Sequence, residues 1–172
     1  MKKILLAGLL VLLIAGAFKL LSSDNEAAIE LRLTELETAL ILHDSENRLE
    51  AATRAKEIAN YFSASFRAKG PEGERSYNFE DRKDLQNKIT SYRIQATKME
   101  VKFDIEDIEV ESNSASLKLK VAVLGAFSEV HGEFFDLHLV ELGMEKASGN
   151  WLISSAEHLE NLRGAPNLED SP

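Results

Sequence analysis

Between Glu100 and Glu157 apolar side chains recur at every second position. In Ala115-Ser116-Leu117-Lys118-Leu119-Lys120-Val121-Ala122-Val123, lysines or small residues separate the aliphatic ones. That is the period of a strand with one buried face. The same alternation marks Met99–Val110, Gly132–Leu142 and Asn150–Ala156, so four strands are expected. In the first of these, Val101, Phe103 and Ile105 hold one face, and the phase then shifts at Glu106-Asp107 to Ile108 and Val110. A one-residue shift predicts a β-bulge. Turns fall at Glu111–Ser114 and Ala147–Asn150, and Gly125 predicts a bend within its strand.

The preceding part follows the helical period. Ser23-Asp24-Asn25-Glu26 reads as a capping box. It opens a helix whose stripe is Ile29, Leu33, Leu36 and Leu40, ending near His43. Asp44-Ser45 caps a second helix with Leu49, Ala52, Ala55, Ala59 and Phe62 in register and Ile58 alongside. Its alanines predict close approach of a neighbouring element. Ser63–Lys69 predicts a short strand, and Gly70–Gly73 a loop. A third helix is expected from about Glu80 to Tyr92, with Leu85, Ile89 and Tyr92 on one face and acids in its first turn, where the helix dipole favours them.

The 172 residues suffice for one domain and an extension. There is no cysteine, which excludes disulfides, thiolate metal sites, a cysteine nucleophile and a lipid-acylated N-terminus. The net charge of −9, with no basic patch interleaved with aromatics, argues against a nucleic-acid partner. Met1-Lys2-Lys3 precedes an uncharged run from Ile4 to Phe18, then Lys19, Leu20 and Leu21. Such a run belongs in a bilayer. Two readings stay open. Residues 1–21 act as a signal anchor spanning the bilayer, the favoured reading, or as a signal peptide cut after Ala15-Gly16-Ala17, which would leave a secreted protein. Lys2 and Lys3 stay cytoplasmic in either case. The expected address is the bacterial inner membrane, single-pass, with a domain over 22–163 in the periplasm and a disordered tail over 164–172.

Three helical patterns, a short strand between the second and third, and a strand meander closing on Gly149-Asn150-Trp151-Leu152-Ile153-Ser154 resemble the nuclear transport factor 2-like (SnoaL-like) superfamily. Phe79-Glu80-Asp81-Arg82-Lys83-Asp84-Leu85 resembles the start of that family's third helix. The resemblance implies an α+β fold: three N-terminal helices packed on a strongly curved, mostly antiparallel sheet, forming a cone with an internal cavity. Here that fold would follow an N-terminal transmembrane or signal helix, as in a membrane-anchored bacterial member. The family hosts isomerases, dehydratases, polyketide cyclases, binding subunits and scaffolds, so fold alone selects none of them. Its enzymes need His, Asp or Tyr inside the cavity.

Parity then sorts the candidates. Phe135, Leu137 and Leu139 form the more continuous apolar set and are expected to face the helices, so Asp136 and His138 point outward. His131 shares the parity of Phe135 and falls at the cavity rim. The cavity-lining set is Tyr61, Phe66, Tyr92, His131, Phe135 and Leu137. Trp151 is a core residue, and His43 and His158 stand alone near element ends. No nucleophile triad, metal-ligand set, phosphate loop or cofactor motif is present. Ala122, Leu124, Phe134, Val140 and Leu142 are expected on the outer sheet face, an apolar surface for a homodimer or a protein partner. The reading favoured by the sequence is a membrane-tethered, extracytoplasmic, non-catalytic binding or scaffold domain, acting through protein interaction or a small apolar ligand. Its alternative is an isomerase- or dehydratase-like enzyme acting on a small organic substrate in the cone cavity.

Overall fold

The computed structural model describes residues 24–71, 76–127 and 132–163. The leader over 1–21, the capping residue Ser23, His131 and the tail over 164–172 lie outside the described residues. Among the described residues, no helix is long and apolar enough to cross a membrane.

Helix α1 covers 24–40 of the described chain. Its stripe of Ile29, Leu33 and Leu36 is almost wholly buried against the sheet. The helix stops earlier than His43, and Leu42 instead pairs with Met99 through two backbone hydrogen bonds of 2.8 Å. Helix α2 (Arg48–Ala59) is capped by Asn47 rather than by Asp44-Ser45. The Asn47 side chain accepts from the backbone of Leu49 and Glu50, and the Glu50 carboxylate accepts from the Asn47 backbone. This reciprocal pattern satisfies donors that the first helical turn leaves free. Ala51, Ala55 and Ala59 are buried, and their small size lets α3 (Arg82–Gln95) lie close. Helix α3 buries Leu85 and Arg93. Tyr92, expected in its stripe, is 46% exposed, because Arg93 takes the inward position.

Among the described residues the sheet has six strands in the order β2-β1-β6-β5-β4-β3. They are β1 (Phe62–Lys69), β2 (Tyr77–Asn78), β3 (Ala96–Glu111), β4 (Ser114–Phe127), β5 (Glu133–Ala147) and β6 (Asn150–Arg163). Only β1 and β6 run parallel; every other neighbouring pair is antiparallel. The expected bulge is present at Glu106, where the β3–β4 register shifts between Ile105 and Asp107. Further shifts between β5 and β6 add local bend and twist, as bulges do. The β5–β6 turn uses Ser148 and Gly149, both at positive φ (51° and 84°), the conformation that a two-residue hairpin demands.

Gly125 is not a bend. It continues β4 opposite Phe134, whose ring lies where a Cβ would stand, at 2.5 Å from that position. The outer edge of β3 is protected locally by α1: the Glu37 carboxylate accepts the Phe103 backbone N–H at 2.5 Å and holds Lys102 Nζ at 3.3 Å.

The concave face carries Leu117, Leu119, Leu142, Met144, Trp151 and Ile153, all buried and packed on α1 and α2 residues. This inverts the parity expected for β5. Leu142 pairs with Leu117 and Val140 with Leu119, so the even-numbered residues of β5 face the helices. Both parities of 134–142 are rich in apolar residues, and pairing with the strongly patterned β4 decides between them. Val140 and Leu142 therefore belong to the core side rather than to an outer interface, and Phe134 shares their face. Phe135 and Leu137 fall on the convex side with Ala122 and Leu124.

Candidate active site

The inversion brings Asp136 and His138 onto the helix-facing side of the sheet, beyond the sealed core. β6 delivers two more polar residues beside them. His158 pairs with Val140 and Asn161 with His138 across the β5–β6 ladder. Regular alternation would send His158 and Asn161 to opposite faces. The register shift between Leu139 and Val140 brings both side chains to His138.

His138 Nδ1 lies 3.3 Å from His158 Nε2, and the two rings meet edge to face at 5.3 Å. Asn161 Oδ1 is 2.7 Å from His138 Nδ1 and 2.9 Å from His158 Nε2. An amide oxygen accepts and cannot donate. With Asn161 in this orientation, each ring nitrogen facing it carries a proton. His138 Nε2 and His158 Nδ1 are then the ring nitrogens left to carry a lone pair. Both rings are half-buried. Apolar Val121 and Val123 stand opposite His138 and Asp136 on β4, and Phe134 stacks on Phe127 at 5.5 Å on the same face. The arrangement is two oriented imidazoles on one wall of a curved sheet with apolar neighbours, which is chemistry suited to moving a proton. Among the described residues, no group of three or more His, Asp or Glu is placed to hold a metal ion.

The cavity candidates do not converge. Tyr61 lies under the Arg32 guanidinium at 3.9 Å and lines a concavity of about 660 Å³ between α1 and α2, with Thr38, Arg54 and Asn60. Phe66 is core, meeting Phe62 at 4.8 Å and Phe79 at 5.8 Å. Tyr92 is exposed beneath Lys88 Nζ at 5.0 Å. Phe135 is 37% exposed and Leu137 half-buried, both on the convex face. Of the two residues that complete the His138 cluster, His158 reads as isolated in the sequence only when its strand is taken to end at Ala156, whereas β6 runs to Arg163. Asn161 lay beyond that end. The polar spacing of His158 and Asn161 at the end of an alternating run was the available signal.

No family profile and no curated sequence matches the chain. Solved structures do. A protein from Novosphingobium aromaticivorans described as a candidate scytalone dehydratase superposes with a TM-score of 0.64 at 12% identity, over 88% of this chain and 97% of its own. A hexachlorocyclohexane dehydrochlorinase (LinA, type 2) gives 0.58 at 15% identity, over 88% and 95%. A nuclear transport factor 2-like protein with a cystatin-like fold, also from N. aromaticivorans, gives 0.58 at 11% identity, over 83% and 85%. The chain therefore shares its fold with these proteins, among them one described as nuclear transport factor 2-like. The expectation of a non-catalytic binding or scaffold domain is overturned: structures sharing this fold include a dehydratase-type protein and a dehydrochlorinase, and an ionisable pair occupies the helix-facing side of the sheet.

Proposed function

We propose that this domain is an enzyme that moves a proton on a small organic substrate, in an elimination or isomerisation of the dehydratase–isomerase type. The observation that carries the reading is the convergence of His138 and His158 on Asn161 Oδ1. Chemically, a base with a free lone pair takes a proton from carbon beside an electron-withdrawing group. In an elimination the released electron pair forms the double bond as the neighbouring carbon–leaving-group bond breaks. In an isomerisation the pair is reprotonated at another carbon. His138 Nε2 is the assigned base, His158 the second proton carrier, and Asn161 the positioning residue that fixes both tautomers. The nearby valines and Phe134 suit an apolar carbon skeleton.

The leader suggests that this chemistry takes place outside the cytosol, with residues 1–21 tethering the domain to a bacterial inner membrane. The convex face, with Ala122, Leu124 and Leu137, is a surface on which a second copy would pair.

The test is proton exchange. The full chain is incubated in D₂O with a panel of small cyclic ketones and β-hydroxy ketones, and loss of the α-proton signal is followed by NMR. Exchange or elimination above background that disappears in His138→Ala and His158→Ala supports the reading. Equal rates in the wild type and the double variant, or no turnover of any panel member, would remove it.

A further inference from the structure

The start of α1 and both long hairpin tips lie at one end of the molecule. Lys146 ties them together: its Nζ donates to Asn25 Oδ1 at 2.8 Å, and its backbone N–H donates to the Asn113 carbonyl at 2.8 Å. The tips themselves are Ser112-Asn113 and Ser148-Gly149, exposed, polar and uncharged. The histidine pair lies far from them. From Ala147 back to His138 is about 30 Å of strand at roughly 3.3 Å per residue. Helix α1 crosses much of the same span, since 24–40 covers about 25 Å at 1.5 Å per residue. Its far end joins β3 through Leu42 and Met99.

The apolar run that ends at Leu21 is followed by only Ser22 and Ser23 before Asp24, where α1 is already helical. Leu21 and Asp24 are three residue steps apart, a reach of about 11 Å at most. Anything that holds the run in a bilayer therefore holds Asn25, and with it both hairpin tips, close to the headgroup region, within about 12 Å of the end of the run.

We infer that the domain stands on a bilayer with its two hairpin tips against the headgroups and its histidine pair directed to the far side, so that substrate enters from the aqueous compartment rather than from the lipid. The surface it fits is zwitterionic. The tips supply serine, asparagine and glycine, which hydrogen-bond to headgroups without charge, and the flanking Asp24, Glu111 and Glu145 would repel anionic lipid. The inference rests on the tether proposed above.

The cysteine-free chain makes the test direct. Single cysteines are placed at the tips (Asn113→Cys and Ser148→Cys, with Asn150→Cys as a further tip position) and at the far end (Glu160→Cys, next to Asn161). Each full-length variant is labelled with a fluorophore and reconstituted in phosphatidylcholine vesicles containing a headgroup-nitroxide lipid. Vesicle flotation is scored first, and circular dichroism confirms the fold. The expected result is several-fold stronger quenching at the tips than at 160. Flotation with equal quenching at both ends, or with the order reversed, overturns the orientation while leaving the tether standing. Failure to float removes the tether and the orientation together.

Discussion

Arg93 grips the Glu46 carboxylate with two nitrogens, at 2.6 and 2.7 Å, with only 2% of its side chain exposed. The same guanidinium reaches the carbonyls of Leu40 and Ile41. One side chain of α3 thus closes the C-terminal end of α1 and anchors the loop into α2. Arg93→Ala leaves a carboxylate and two carbonyls without their donor. Loss of one partner from a buried pair costs about 3–5 kcal/mol. Urea denaturation should show a loss of that size, and the double variant with Glu46→Ala should lose less than the sum of the two single variants.

Gly125 has no room for a side chain. A Cβ there would stand 2.5 Å from the Phe134 ring, so Gly125→Val must displace the ring from its stack on Phe127. Overpacking of this kind costs about 1–3 kcal/mol. The expected outcome is a lower melting temperature, restored in part by Phe134→Leu in the same chain.

Removal of the base should affect chemistry more than binding. His138→Ala is expected to lower kcat of the exchange reaction by about 10²- to 10⁴-fold, the usual contribution of a positioned acid–base group. Asn161→Ala leaves both imidazoles present but frees their tautomers, so its loss should be smaller and should fall on kcat rather than KM. Asn161→Asp, which keeps an accepting oxygen, should recover part of the rate. A rate unchanged in Asn161→Ala would count against the positioning role.

One exposed ion pair sets a pH window. Lys120 Nζ lies 2.6 Å from Glu106 Oε1 at the β3 bulge. The hydrogen bond from Lys120 holds the Glu106 carboxyl below its ordinary value, and the same bond holds the Lys120 ammonium above its own. A lowered carboxyl contributes stability above its unfolded value and loses it as pH falls through the folded one. A raised ammonium contributes below its unfolded value and loses it as pH rises through the folded one. The melting-temperature difference between the wild type and Glu106→Gln should therefore be widest at intermediate pH. It should shrink toward both extremes and shrink with added salt. Lys98, raised by the hydrogen bond it donates to Glu133, should follow the alkaline limb.

Where one side of an element is apolar and the other is not, its placement can be read from the chain. The stripe of Ile29, Leu33 and Leu36 and the alternation of Leu117 and Leu119 both became core, and the phase shift at Glu106 became a bulge. β5 defeated the same reasoning because Phe135, Leu137 and Leu139 compete with Phe134, Val140 and Leu142. Strand pairing breaks that tie, and no local pattern contains it. The candidate site was lost at the same step. Asp136 and His138 lie on the face opposite to the expected one, and the partners of His138, His158 and Asn161, meet it only through a register irregularity in the β5–β6 ladder. Arg93 was hidden for a similar reason: a cation at an inward helical position makes sense only once Glu46 and two open carbonyls are known to await it.

The position of β6 also bears on how the molecule comes into being. This late-made strand lies between β1 and β5, so the early hairpin of β1 and β2 can join the rest of the sheet only once β6 has emerged. Until then β1 has no parallel neighbour and Trp151 and Ile153 are missing from the hollow. Synthesis from the N-terminus would therefore leave the earlier strands and helices without the strand that joins them until β6 is made.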